Sequence, residues 1–214
     1  MRKGIGICCI LLGITCLLAA AGFVVYNRFE SNAGAQFSQA LLQGMQEKIQ
    51  ETAQNEAEQP EERAGETVTE EFSEIVPGEM AAISVDGYNS IGFLTIPVLE
   101  LELPVLADWS YEKLKKAPCH YYGSCYDSDF VIAAHNYPAH FGRLSELRQG
   151  DMIFFTDAVG ERHYYEVVLL ETLEPTATEE MITSGFDLSL YTCTTGGNNR
   201  VTVRCRAVSS ERQA

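Results

Sequence analysis

The chain has 214 residues, 46% of them hydrophobic and 21% charged, enough for one substantial folded domain with accessory segments but not for two large ones. Its formal net charge of -15 leaves no excess of Lys and Arg to neutralise phosphates, so a nucleic-acid partner is excluded from the expectations.

At the N-terminus, Arg2 and Lys3 precede GIGICCILLGITCLLAAAGFVVY, residues 4–26, with no further charge until Arg28. About 20 apolar residues in a helix span the roughly 30 Å hydrocarbon core of a bilayer. Ala19 to Ala21 look like a cleavable small-residue site, but the apolar run continues through Phe23, Val24 and Val25 and is long for a secretory signal. Residues 1–28 therefore read as a cytoplasmic tip and an uncleaved single-pass anchor, with the membrane contacted through residues 4–26. Positive charge before the span and acidic chain after it put the N-terminus in the cytoplasm and the remainder outside. Cys8, Cys9 and Cys16 read as apolar filler within the span.

Residues 29–80 are rich in Gln and Glu and poor in aromatics, a composition that buries little surface and reads as an acidic stalk. Phe37, Leu41, Leu42, Met45 and Ile49 recur near helical spacing, so the first half is expected to be helical and to end by Pro60. A solvated spacer is the plain expectation; a partner-binding or inhibitory helix is the alternative.

Residues 81–214 read as short strands separated by turn residues. FLTIPVLELELPVL alternates apolar and polar, but its parity slips by one residue at Val98–Leu99, after Pro97, so two strands or a bulge are expected there. FVIAA, residues 130–134, is a continuous apolar run suited to a central strand. MIFFT and RHYYEVVLLETL flank a Gly-containing turn, and FDLSLYTC and RVTVRCRAV form the last pair. Helical signals are confined to Tyr111–Lys116 and Arg143–Leu147. The fold class is mainly β, and closure into a barrel is the economical way to remove exposed edges.

Four cysteines fall in this domain. Strand parity puts Cys205 with Val201, Val203 and Ala207 on an apolar face, opposite Arg200, Thr202, Arg204 and Arg206. In the preceding strand, Ser189, Tyr191 and Cys193 lie off the face of Leu188 and Leu190. If the pair is a hairpin, the turn TTGGNN brings Cys193 and Arg200 to about one inter-strand spacing, near 5 Å. A thiolate is the nucleophilic form of cysteine, and Arg cannot act as a base but can donate hydrogen bonds to charge developing on a carbonyl oxygen. A proton donor is then needed, and His135, delivered to the rim by the buried run before it, is preferred over His120, His140 and His163. Cys119 and Cys125 either close a small disulfide loop or remain thiols. The spacing of Cys119, His120 and Cys125 lacks a second ligand pair with zinc spacing, so no metal and no cofactor is expected. Tyr121 and Tyr122 read as packing residues, with a place in a peptide groove as the alternative.

LYTC (Leu190–Cys193), NNRVTVRC and FVIAAHN, in this arrangement and after an anchor and stalk, resemble the sortases, membrane-anchored cysteine transpeptidases of Gram-positive bacteria. IGFLTIPVLELELPV and HFGRLSELRQGDMIFF resemble that family's opening strands and long connection, so the likeness covers residues 83–208. Tyr191 stands where many members carry another residue, and Ser189 stands where Thr is usual. The short turn after His135 looks class B-like or class D-like. The resemblance implies an eight-stranded sortase β-barrel in which Cys193, His135 and Arg200 are catalytic. It further implies surface proteins bearing a C-terminal LPxTG-like sorting signal as substrates, and a peptidoglycan precursor or pilin amine as acceptor. A cysteine hydrolase using the same three residues with water as acceptor is the alternative.

Overall fold

A computed structural model describes residues 2–58 and 80–209. Its first element is one helix, α1 (Arg2–Glu58), about 85 Å long at 1.5 Å per residue. The apolar part of α1 is long and apolar enough to cross a membrane, with a mean hydropathy of 2.1, and the side chains from Ile10 to Phe29 stand exposed. The apolar segment and the stalk helix are thus continuous; Pro60, expected to stop the helix, lies outside the described residues.

The strands are β1 (Ile83–Val85), β2 (Tyr88–Ile96), β3 (Leu101–Leu106), β4 (Cys119–Tyr122), β5 (Phe130–Ala133), β6 (Met152–Asp157), β7 (Arg162–Leu173), β8 (Leu188–Cys193) and β9 (Arg200–Ala207). They form one sheet in the order β1-β2-β3-β4-β5-β8-β9-β7-β6, and β6 pairs back onto β2. That last pairing closes an eight-stranded barrel from β2 to β9, with β1 as a short hairpin arm on β2. The parity slip has a physical cause. Pro97–Leu99 form a 3₁₀ turn and Glu100 takes a left-handed φ of 53°, so the chain reverses before β3 starts on the opposite phase. Every residue of β5 is buried, as its continuous apolar run requires.

The barrel interior is filled by Leu94, Ile96, Phe130, Ile132, Phe155, Leu190, Val203 and Cys205, among others. A second apolar cluster lies outside the wall, where Leu41 and Met45 of α1 meet Ile83, Val85, Leu106, Ala117 and Cys119. The stalk is therefore not a free spacer over this stretch: Leu41 is 2% exposed and Met45 fully buried. Gly34 and Gly44 permit the close approach. A Cβ at Gly34 would collide with the Lys115 carbonyl oxygen, and one at Gly44 would lie 2.7 Å from Val85 Cγ1. The helix runs along the barrel from Lys115 and His140, which Gly34 faces, to the β6–β7 turn, where Ile49 meets Gly160.

Two short helices complete the domain. Ser110 caps α2 (Tyr111–Leu114), its hydroxyl accepting from Lys113 N at 3.2 Å. The second, α3 (Thr178–Ile182), carries no sequence signal strong enough to be expected, yet it covers the outer face of β5, β7 and β8 through Met181, Val131 and Leu173. Beneath it, the polar face predicted for β9 is largely enclosed. Arg204 is only 2% exposed; Nε donates to Glu171 Oε1, Nη1 to Ser189 Oγ and Nη2 to the Glu180 carbonyl, each at 2.8 Å.

Candidate active site

Cys193 ends β8 and Arg200 opens β9, and the register pairs them directly across the antiparallel ladder. The turn between them is closed by Thr194 N donating to Asn199 O at 2.9 Å and Asn199 N donating to Thr194 Oγ1 at 3.1 Å. Parallel pairing of β5 with β8 brings the C-terminal end of β5 to the same rim. There, Ala134 N donates to Tyr191 O at 3.2 Å and Thr192 Oγ1 donates to Ala134 O at 2.8 Å, so the residue before His135 is tied to the residue before Cys193. His135, Cys193 and Arg200 are all half-buried and line one cleft of about 210 Å³. These three residues, expected from sequence to act together, are brought together.

The other cysteines are placed differently. Cys205 is fully buried in the barrel interior, and Cys119 is buried against α1 with its thiol donating to Ala117 O at 3.5 Å. Burial pushes the thiols of Cys119 and Cys125 up to about 12 and raises that of Cys205 as well. All are free thiols, so Cys119 and Cys125 form no disulfide. Cys193 is thus the half-buried cysteine of the barrel, across the ladder from Arg200 and open to the cleft.

The cleft also contains residues that the sequence did not single out. Trp109 and Tyr111 line it, stacking edge to face at 5.9 Å, as do Glu174, Pro175 and Met181. Tyr121 does both things considered for it: it lines the cleft and packs against Tyr191 at 5.4 Å. His135 lies against the ring of Tyr137 at 5.0 Å, and Tyr137 bonds to the side chain of Glu30 on α1. Glu30 also pairs with Lys115 at 3.4 Å. Burial lowers the pKa of His135 from its ordinary value, the Glu30 carboxylate opposes that shift and the Lys115 ammonium adds to it. Glu30 precedes Lys115, His135 and Tyr137 by more than 80 residues in the chain, so no local pattern announces its contacts.

His140 is fully buried beneath α1 and its pKa is lowered to about 4 by burial, which removes it as a proton carrier at neutral pH. The ring nitrogens of His120 meet the carbonyls of Ala107 and Gly123 at 3.2 and 2.8 Å, so His120 joins no ligand set with Cys119. Arg200 Nη1 donates to Gly197 O and Asn199 O, both at 3.2 Å, and so rests folded against its own turn.

A sortase-domain family profile matches residues 94–208, more than half of the chain. The chain belongs to the sortase family. Its members are cysteine transpeptidases, and this sortase is an enzyme of that kind. Among solved structures, sortase C1 of Streptococcus suis is 32% identical, with a TM-score of 0.51 over 58% of this chain and 76% of that one. Sortase C1 of Streptococcus agalactiae is 25% identical, with a TM-score of 0.52 over 59% and 72%. Sortase A of Corynebacterium diphtheriae, at 22% identity, shares the fold with a TM-score of 0.53 over 59% and 64%. No curated protein matched the sequence. The named relatives are of types A and C, so they lend nothing to the class B-like or class D-like likeness read from the turn after His135.

Proposed function

We propose that this sortase cleaves an LPxTG-like sorting signal through a thioacyl intermediate on Cys193 and transfers the acyl group to an amine of the cell wall or of a pilin. The observation that carries the reading is the direct cross-strand pairing of Cys193 with Arg200 at a rim to which β8 also ties His135.

In this reading, the Cys193 thiolate attacks the scissile carbonyl carbon, a C–S bond forms and the carbonyl oxygen becomes an oxyanion. Arg200, released from Gly197 and Asn199, donates to that oxygen. Collapse breaks the C–N bond, and the leaving amine takes its proton from His135. An incoming amine then attacks the thioester, His135 accepts the proton, and cleavage of the C–S bond regenerates the thiolate. The aromatic wall of Trp109, Tyr111 and Tyr121 suits an apolar segment of the peptide, and a sortase C of Clostridium perfringens has been solved with the C-terminal cell wall sorting motif.

Residues 4–26 anchor the enzyme, with the N-terminus cytoplasmic and the barrel extracellular. Glu30 follows the anchor by about one helical turn and lies at the His135 end, so the catalytic rim faces the bilayer. Exposed Trp109 and Tyr111 on that rim have the amphipathic character suited to a membrane interface. Incubating the enzyme with a sorting-signal peptide library and amine acceptors, and weighing the products, tests the proposal. Ligated peptide supports a transpeptidase, whereas hydrolysed peptide alone shows water to be the acceptor.

A further inference from the structure

At the end of the barrel remote from Cys193, three side chains of different donor type converge. Cys125 comes from the β4–β5 loop, Asp157 ends β6 and His163 lies near the start of β7; one ligand atom from each falls within 4.8 Å of the others. This is a different end from the catalytic rim, because β7 pairs near its start with Ala207 and at its other end with Arg200. Cys125 and Asp157 are buried and the side chain of His163 is 15% exposed.

The surroundings of Asp157 hold its carboxylate in place. Oδ1 accepts from Val159 N at 3.1 Å and Glu161 N at 2.8 Å, and Oδ2 accepts from Tyr126 Oη at 2.8 Å and meets His163 Nε2 at 3.1 Å. Such bonds fix a ligating carboxylate's orientation, as supporting partners do in metal sites generally. The Cys125 thiol, which also bonds to Tyr126, reaches the same point from the edge of the barrel core. Around a tetrahedral zinc ion, N and O ligands at about 2.0–2.1 Å stand about 3.3 Å apart, and sulfur at about 2.3 Å stands about 3.6 Å from either. The observed N···O separation of 3.1 Å is near that value, and the 4.8 Å limit on the set leaves at most about an ångström for the thiol to close. A cavity of about 270 Å³ opens beside Cys125 and His163, bordered by Tyr165 and Val208, with room for water as a fourth ligand.

We propose that Cys125, Asp157 and His163 bind one zinc ion, which clamps the β4–β5 loop to the β6–β7 hairpin at the distal end of the barrel. A thiolate, an imidazole and a carboxylate suit a borderline-soft divalent ion and are poorly matched to magnesium or calcium, which take oxygen ligands. Binding breaks the S–H bond of Cys125, forms a Zn–S bond and releases the thiol proton to solvent. Two negative ligands then balance the ion's charge, so the buried centre is neutral. No electron is transferred, and the site is independent of the catalytic assignment.

The test uses the full-length chain in detergent carrying Cys193→Ala, so that the cleft thiol cannot bind metal. After chelation, the protein is titrated with cobalt(II) and then zinc. The expected result is one equivalent of cobalt bound with a thiolate-to-cobalt charge-transfer band, displaced by zinc, together with a zinc-dependent rise in the thermal midpoint. Adding Cys125→Ser removes the band, whereas adding Cys119→Ser leaves it. His163→Gln, at the most accessible ligand, should weaken zinc binding at least 10-fold and abolish the thermal shift, which keeps the test open if the Cys125 variant misfolds. No thiolate band at one equivalent, or zinc affinity and thermal shift unchanged by His163→Gln, overturns the proposal.

Discussion

Replacing Arg204 by alanine probes the enclosed outer face of β9. A surface arginine at this place costs less than about 0.5 kcal/mol to truncate. Here the guanidinium holds Glu171, Ser189 and the Glu180 carbonyl, each at 2.8 Å, so one side chain ties β7, β8 and α3 together. Removing one member of a buried ion pair costs about 3–5 kcal/mol, because the remaining polar groups keep their desolvation penalty. The Glu171 side chain is 31% exposed and recovers part of its hydration, which places the expected loss near the lower end, about 3 kcal/mol. The folded-to-unfolded ratio then falls by about 100-fold. Denaturant unfolding in detergent, followed by the single tryptophan, Trp109 in the cleft, measures it. Since Met181 of α3 also lines the cleft, peptide KM should rise in the folded fraction. A loss below about 1 kcal/mol would show that Arg204 is solvated and that α3 does not close over it.

Arg200→Ala is expected to leave stability within about 0.5 kcal/mol of the parent and to lower kcat by about 100- to 1,000-fold, the usual loss of an oxyanion donor; unaltered kcat in steady-state peptide assays contradicts that role. Glu30→Gln removes a charge that raises the His135 pKa. The protonated imidazole is lost as pH rises through that pKa, so the activity limb governed by His135 should move to lower pH, and a limb that stays in place in the pH–rate profile refutes the coupling. Met45→Asp places a charge in the fully buried seam between α1 and the barrel. Hydrogen exchange should then speed up in β1 and β3, while unchanged protection would show that α1 does not dock.

The barrel and the Cys193–Arg200 pair were legible in the chain because their information is local. Period-two alternation marks faces, Pro97 marks the reversal, and a six-residue glycine-rich turn fixes which residues end up opposite. The misreadings come where a distant element covers a polar surface. Arg204 alternates like a solvated residue, and only α3, folding back from about 25 residues earlier, encloses it. Gln- and Glu-rich composition made the stalk look solvated, although Gly34, Leu41 and Met45 form a narrow docking face on an otherwise polar helix. Cys125 has Cys119 and His120 as its near neighbours in sequence, whereas the Asp157 and His163 that meet it in space are more than 30 residues away.

The claim that Cys193 is the nucleophile is met most directly by trapping the acyl-enzyme. Full-length enzyme is mixed with an LPxTG-like peptide without an amine acceptor, quenched in acid and digested for mass spectrometry. The account predicts an acid-stable thioester on the peptide containing Cys193, retained in Cys205→Ala and absent from Cys193→Ala. An adduct on another cysteine, or turnover retained in Cys193→Ala, would contradict it.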